Sequence, residues 1–256
     1  MKATAGAGAL EARSVRKSFG SQSVLQGLDL RIAAGDSVVI MGRSGCGKSV
    51  LLKHLIGLLQ PDEGEVLVDG ENLGDLDERA LLRIRRKFGM VFQGSALFDS
   101  LSVEDNVAFL LRRERHLTDG EITRRVEEAL ERVELRGAQT KRPAELSGGM
   151  KKRVGLARAI VYHPEILLYD EPTTGLDPVV SDSIDRLIVR VCEEMHVTSV
   201  VVTHDMRSAR RVGRRVVMLR DGRVYADGSP ESVFGSPDPV VRKFVDGDST
   251  SVDSMN

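Results

Sequence analysis

One short unit constrains this chain more than any other feature in it. "SVVIM", Ser37 to Met41, is a compact apolar run of the kind that forms a strand buried on both faces. It runs straight into "GRSGCGKS", Gly42 to Ser49, and then into the helical stretch "VLLKHLIGLL". A strand, a glycine-rich loop and a helix in that order make a phosphate-binding unit. Glycines let backbone N–H groups curl round phosphate oxygens, and the helix aims its N-terminus at the anion. The loop residues Gly42, Arg43, Ser44, Gly45, Cys46 and Gly47, with Val50 just inside the helix, form the expected cradle. Lys48 supplies positive charge to the outer phosphates, and the Ser49 hydroxyl is placed to ligate Mg²⁺. Cys46 invites a redox role, but a side chain turned away from the phosphates explains it with less.

The last third repeats the alternation. "EILLYDE" reads as a buried strand, "SDSIDRLIVRVCEEM" as a helix and "VTSVVVTHD" as a second buried strand. Such βαβ alternation implies a parallel sheet with helices on its faces. Asp170, at the C-terminal end of the first strand, can hold Mg²⁺. Glu171 follows where it could polarise a water against a γ-phosphate. His204 ends the second strand, where an imidazole could contact that phosphate and report its presence. The middle third is helical and charged ("DERALLRIRRK", "VEDNVAFLLRR", "TDGEITRRVEEALERV") and reads as an insertion into the α/β core.

Composition removes several classes. With 256 residues, 41% hydrophobic and 29% charged, the chain can bury a sizeable core. The net charge of −1 exerts no global pull toward nucleic acid, and with no Trp and 4% aromatics base-stacking platforms are poorly supplied. The basic runs at Lys151–Arg153 and at Arg210, Arg211, Arg214 and Arg215 suit a solvated face or anionic lipid headgroups. Cys46 and Cys192 stand in no metal-ligand spacing, so a reducing, cytoplasmic setting is expected. No run approaches the ~20 apolar residues of a membrane span, and "MKATAGAGAL" lacks the apolar centre of a signal peptide. Residues 1–9 and 247–256 are expected to be disordered tails around a single domain, 10–246.

A further stretch, "AELSGGMKKRVGLARAI", opens a basic helix with a serine and two adjacent glycines. "LSGGM" resembles the signature, usually LSGGQ, of the ATP-binding cassette (ABC) ATPases, and the order of all these elements resembles that family over nearly the whole chain. The resemblance implies a phosphate-loop α/β core with an antiparallel strand layer near the N-terminus. It also implies an inserted helical subdomain, roughly 94–165, carrying the signature. Two cassettes would pack head to tail, each signature closing over the ATP of the other. Ser147 would touch the partner-held γ-phosphate, and Gly148 and Gly149 would let the backbone approach. By the same resemblance Phe19 stacks on adenine, Gln93 joins the Mg²⁺ shell and senses the transport partner, and Asp177 crosses between the two sites. "SVEDNV", Ser102 to Val107, would contact a permease, and Leu97, Phe98 and Leu101 would receive its short helix, unless they are core. Met150 departs from the pattern. With Ser147 as N-cap it is the third helical residue, where glutamine could close a capping box and methionine cannot.

"LSGGM", "QGSALFDSLSVEDNVAF" and "PDPVVRKFVDG" together resemble the ATPase subunits of Mla/MCE-type lipid-transport systems. That branch implies ATP and Mg²⁺ as cofactors and a homodimer docked on integral-membrane permease subunits at the cytoplasmic face of the inner membrane. It also implies an MCE-domain substrate-binding protein and a small accessory subunit as further partners. Two other readings stay open at this point: an importer ATPase for amino acids or other small solutes, and a soluble cassette acting on nucleic acid or ribosomes.

Overall fold

The computed structural model describes residues 9–114 and 117–246. In chain order the strands are β1 (Leu10–Phe19), β2 (Gln22–Ile32), β3 (Ser37–Gly42), β4 (Glu63–Val68), β5 (Glu71–Asn72), β6 (Phe88–Val91), β7 (Ile166–Asp170), β8 (Thr198–Val202), β9 (Arg215–Arg220) and β10 (Arg223–Gly228). The helices are α1 (Lys48–Leu55), α2 (Glu78–Arg85), α3 (Val103–Ala108), α4 (Asp119–Arg132), α5 (Gly148–Ile160), α6 (Pro178–Met195), α7 (Met206–Val212), α8 (Pro230–Phe234) and α9 (Pro239–Val245).

Two sheets form. The first is antiparallel, with strand order β2-β1-β4-β5. The second has the order β10-β9-β3-β8-β7-β6; its five inner-to-far strands run parallel and β10 alone is antiparallel, hairpinned to β9. The expected α/β core and N-terminal antiparallel layer are therefore present. The β9–β10 hairpin was not foreseen.

The period of two in β3 explains the layering. Val38 and Ile40 face a core shared with α1 and the antiparallel sheet, joined there by Leu25, Leu51, Leu168 and Val202. Val39 and Met41 face a second core formed with the helices, joined by Leu167, Tyr169, Val201 and Ile188. A strand between two apolar layers needs apolar residues at every position, so "SVVIM" shows no alternation.

The helices between residues 94 and 165 contribute Val103, Val107, Ile122, Val126 and Val154 to that second core: α5 packs on β6, and α3 and α4 pack on α5. Gly89 of β6 makes this approach possible: a Cβ there would lie 2.4 Å from the Ala159 carbonyl oxygen of α5. Two stretches read as longer helices are shorter. α1 stops at Leu55 because Gly57 takes a left-handed φ of +67°. "VEDNVAFLLRR" divides into α3 and a 3₁₀ turn over Leu111–Arg113. Ala9, assigned to the N-terminal tail, is tied down: its N–H donates to Asp69 Oδ1 at 2.8 Å. The expected tails at 1–8 and 247–256 lie outside the described residues.

Candidate active site

The phosphate loop links β3 to α1 with three glycines at positive φ: Gly42 (+152°), Gly45 (+80°) and Gly47 (+102°). Gly42 also has no room for a side chain, since a Cβ would lie 2.4 Å from the Leu219 carbonyl oxygen and 2.6 Å from Cys46 Sγ. Lys48 is buried, and its Nζ donates to the Gly42 and Arg43 carbonyl oxygens at 2.8 and 2.9 Å. The ammonium thus sits across the mouth of the loop. Cys46 packs against the apolar core beneath, and burial pushes its thiol pKa up, which argues against a thiolate here.

The parallel register carries the acidic residues to the same place. β7 pairs with β8 up to Asp170 opposite Val202. Ser49 Oγ donates to Asp170 Oδ1 at 3.1 Å, so two hard oxygen donors converge beside the loop, a set that fits Mg²⁺ completed by phosphate and water oxygens. Glu171 stays attached to β8 through its N–H to the Val202 carbonyl (2.9 Å) but takes a left-handed φ of +50°. That conformation costs an L-residue roughly 1–2 kcal/mol, and strain of this kind gathers where geometry serves a site. It turns the carboxylate into a cluster. His204 Nδ1 lies 2.9 and 2.8 Å from the two Glu171 oxygens, and Thr174 Oγ1 donates to Glu171 Oε2 at 3.1 Å. With Glu171 ionised, His204 donates from Nδ1–H and leaves Nε2 free to face a ligand. The Glu171 side chain is 14% exposed and His204 66%, so the pair reaches from the interior into the opening.

These groups line one cavity of about 690 Å³. Of the residues singled out from the sequence, it brings together Phe19, all of the phosphate loop from Gly42 to Val50 except Cys46, and Gln93, Asp170, Glu171 and His204. Ser147, Gly148, Gly149, Met150 and Asp177 do not line it. Ser147 caps α5, accepting the Met150 N–H at 3.3 Å with no side chain to return the bond from Met150. Asp177 caps α6 by accepting the Val179 and Val180 N–H groups at 3.0 Å each. The two caps adjoin. A Cβ on Gly149 would lie 2.7 Å from Val180 Cγ1, and one on Gly148 3.1 Å from Leu176 Cδ2. The paired glycines therefore have a reason within their own chain, close packing of the signature on the Asp177 segment.

The roles of Thr174, Phe244, Lys152, Arg158 and Asn106 were not anticipated. Thr174 orients Glu171, and Phe244 of α9 joins the cavity wall. Lys152, buried in α5, donates to the Gln93 carbonyl, and Arg158 donates to the Ser95 and Ala96 carbonyls at 2.7 Å each. The signature helix thus holds the Gln93 loop. Burial lowers the pKa of Lys152, with the Glu171 charge opposing. Phe98 is 43% exposed with its ring 4.5 Å from Phe109, whereas Leu97 packs on the core. The fully buried Asn106 amide braces that loop, donating to the Phe98, Leu101 and Ser102 carbonyls and accepting the Phe98 N–H. Lys152, Arg158 and Asn106 were present as polar residues inside helical patterns, but no spacing rule singles them out.

Fold and site define a phosphate-loop ATPase. A sequence profile of the ABC transporter family matches residues 25–174, and the chain belongs to that family as an ATP-binding, ATP-hydrolysing cassette. It is 40% identical over 240 residues to the intermembrane phospholipid transport ATP-binding protein MlaF of Haemophilus influenzae, covering 94% of this chain and 91% of that one. It is 42% identical over 238 residues to a probable ribonucleotide transport ATP-binding protein of Mycobacterium tuberculosis, covering 93% of this chain and 66% of that protein's length. Among solved structures, it resembles a dimeric ATP-binding cassette in a post-hydrolysis state bound to ADP and Pi. That match has a TM-score of 0.78 and 37% identity over 86% of this chain and 98% of the other.

Proposed function

We propose that this chain energises the movement of phospholipid or a related hydrophobic compound through separate permease subunits. The observation that carries the coupling half of this reading is the division of the site. One cavity gathers the phosphate loop, the acidic strand end and His204, while the signature stands outside it. A second copy, packed head to tail, supplies Ser147 and the α5 N-terminus to the phosphates held here. Lys48 and the loop N–H groups bind and orient the triphosphate. Glu171 orients a water and takes its proton, and His204 holds the carboxylate from Nδ1 while Nε2 faces the outer phosphate. Ser49, Asp170 and Gln93 would hold Mg²⁺, which would supply positive charge to the phosphate oxygens. Gln93 and the exposed Phe98 sit on the loop that faces a membrane partner at the cytoplasmic side. Among the described residues no helix is long and apolar enough to cross a membrane, which fits a separate permease.

The lipid half rests on the MlaF relatives of Haemophilus influenzae and Escherichia coli, which this chain covers over 91% and 88% of their length. An MCE-domain protein and a small accessory subunit complete the assembly proposed here. A second reading, a small-solute importer, is favoured by the 41% identity to a sulfate/thiosulfate import ATP-binding protein of Methylococcus capsulatus. The deciding experiment reconstitutes the chain with its permease in liposomes and follows ATP-dependent transfer of labelled phospholipid against uptake of sulfate and amino acids. Lipid transfer that stops with Glu171→Gln supports the proposal; solute uptake without lipid transfer overturns it.

A further inference from the structure

Eight residues beyond Asp177, α6 carries an aspartate that no role above uses. Asp185 is 3% exposed. Its Oδ2 accepts from Ser208 Oγ at 2.7 Å, and its Oδ1 is buried without a hydrogen-bond partner. Ser208 is 1% exposed and lies one turn into α7, the helix that begins directly after His204 and Asp205. Its Oγ is also 3.3 Å from Thr173 Oγ1, and Thr173, 6% exposed, is two residues beyond Glu171. Ser208 has one proton. Given to Asp185, it leaves Oγ as an acceptor, so Thr173 donates to Ser208 and Ser208 to Asp185.

This short chain of hydrogen bonds ties two of the segments that carry the site, those of Glu171 and His204, to the helix that follows Asp177. Thr173 belongs to the turn that throws Glu171 into its left-handed conformation. Ser208 belongs to the helix whose N-cap, Asp205, adjoins His204. Asp185 belongs to the helix that Asp177 caps. A buried carboxylate with one oxygen unpaired is a poor way to stabilise a fold, since an apolar side chain of the same volume often serves as well or better. A cost retained at such a junction needs a return elsewhere. We propose that Asp185 is a positioning residue for hydrolysis, holding the Glu171 turn and the His204 helix in register through Ser208 and Thr173. Burial, aided by the charges of Asp205 and Asp182 and opposed by the Ser208 bond and Arg211, raises the Asp185 pKa to about 6, so near neutral pH the carboxylate is the acceptor this direction requires. The inference rests on the roles assigned to Glu171 and His204 above.

The test compares the full chain with its Asp185→Leu, Asp185→Asn and Ser208→Ala variants. Each is measured for ATP turnover, ATP affinity and melting temperature, with Glu171→Gln alongside. Asp185→Leu and Ser208→Ala should lower kcat by at least about tenfold and leave ATP affinity within about threefold. Asp185→Leu should melt no lower than wild type. Asp185→Asn keeps an oxygen that accepts from Ser208 and should retain kcat within about threefold. Wild-type kcat in folded Asp185→Leu and Ser208→Ala would overturn the proposal, as would melting temperature, affinity and kcat falling together. If Glu171→Gln turns over ATP like wild type, the catalytic assignment fails by itself, whatever the Asp185 variants do.

Discussion

Gly149→Ala isolates what the signature glycines do. The added Cβ would stand 2.7 Å from Val180 Cγ1, whereas ordinary contacts of this kind begin at 3.4 Å, so about 0.7 Å must be found. Val180 is a poor place to find it. It is β-branched, stiff at χ1, and sits in the first turn of α6 where Asp177 holds its N–H. Overpacking of this kind costs about 1–3 kcal/mol. At roughly 2–4 °C per kcal/mol for a domain of this size, the melting temperature should fall by roughly 2–12 °C. Val180→Ala removes the clashing methyl, so Gly149→Ala/Val180→Ala should lose less stability than the two single changes added together. Circular dichroism melts of the four proteins measure that coupling, and ATP turnover measures the rest. If Gly149 serves only its own chain, the double variant regains turnover as it regains stability. If it also admits the partner's phosphate, stability returns and turnover does not. A Gly149→Ala protein that melts like wild type, or strictly additive losses, would refute the packing argument.

Glu171→Gln should bind ATP and accumulate as an ATP-bound dimer on size exclusion, with turnover down about 10²–10⁴-fold, the range for losing a general base. Lys48→Ala removes the cation across the loop mouth and should weaken ATP binding strongly by calorimetry, with little change in melting. Phe98→Asp should lose co-purification with the permease and keep ATP affinity; loss of solubility with affinity would assign the residue to the core instead. Asp185 has a pKa raised to about 6 in the folded chain, against an ordinary 3.8. Folding therefore takes up protons between these values, and wild-type stability falls as pH rises from about 4 to 6. Asp185→Asn lacks this linkage, so denaturant titrations should show its stability gaining on wild type across that window.

The sequence by itself determined the class and much of the chemistry. "GRSGCGKS" after a doubly apolar strand leaves few alternatives, because backbone N–H groups can surround a phosphate only where glycines permit the turn. Asp170, Glu171 and His204 were legible because a parallel sheet delivers the C-terminal ends of its strands to one edge, and each ends an apolar run. What only the tertiary structure decided are the contacts between segments distant in the chain. Thr174 on Glu171, Lys152 on the Gln93 carbonyl and Asp185 on Ser208 each depend on how loops are set over the sheet. Periodicity reports only which face of an element is apolar, and none of these polar residues changes that face. Gly149 is the sharpest case: the sequence marks it as small, and only the position of Val180, thirty-one residues later in the chain, shows what in its own chain it must be small against.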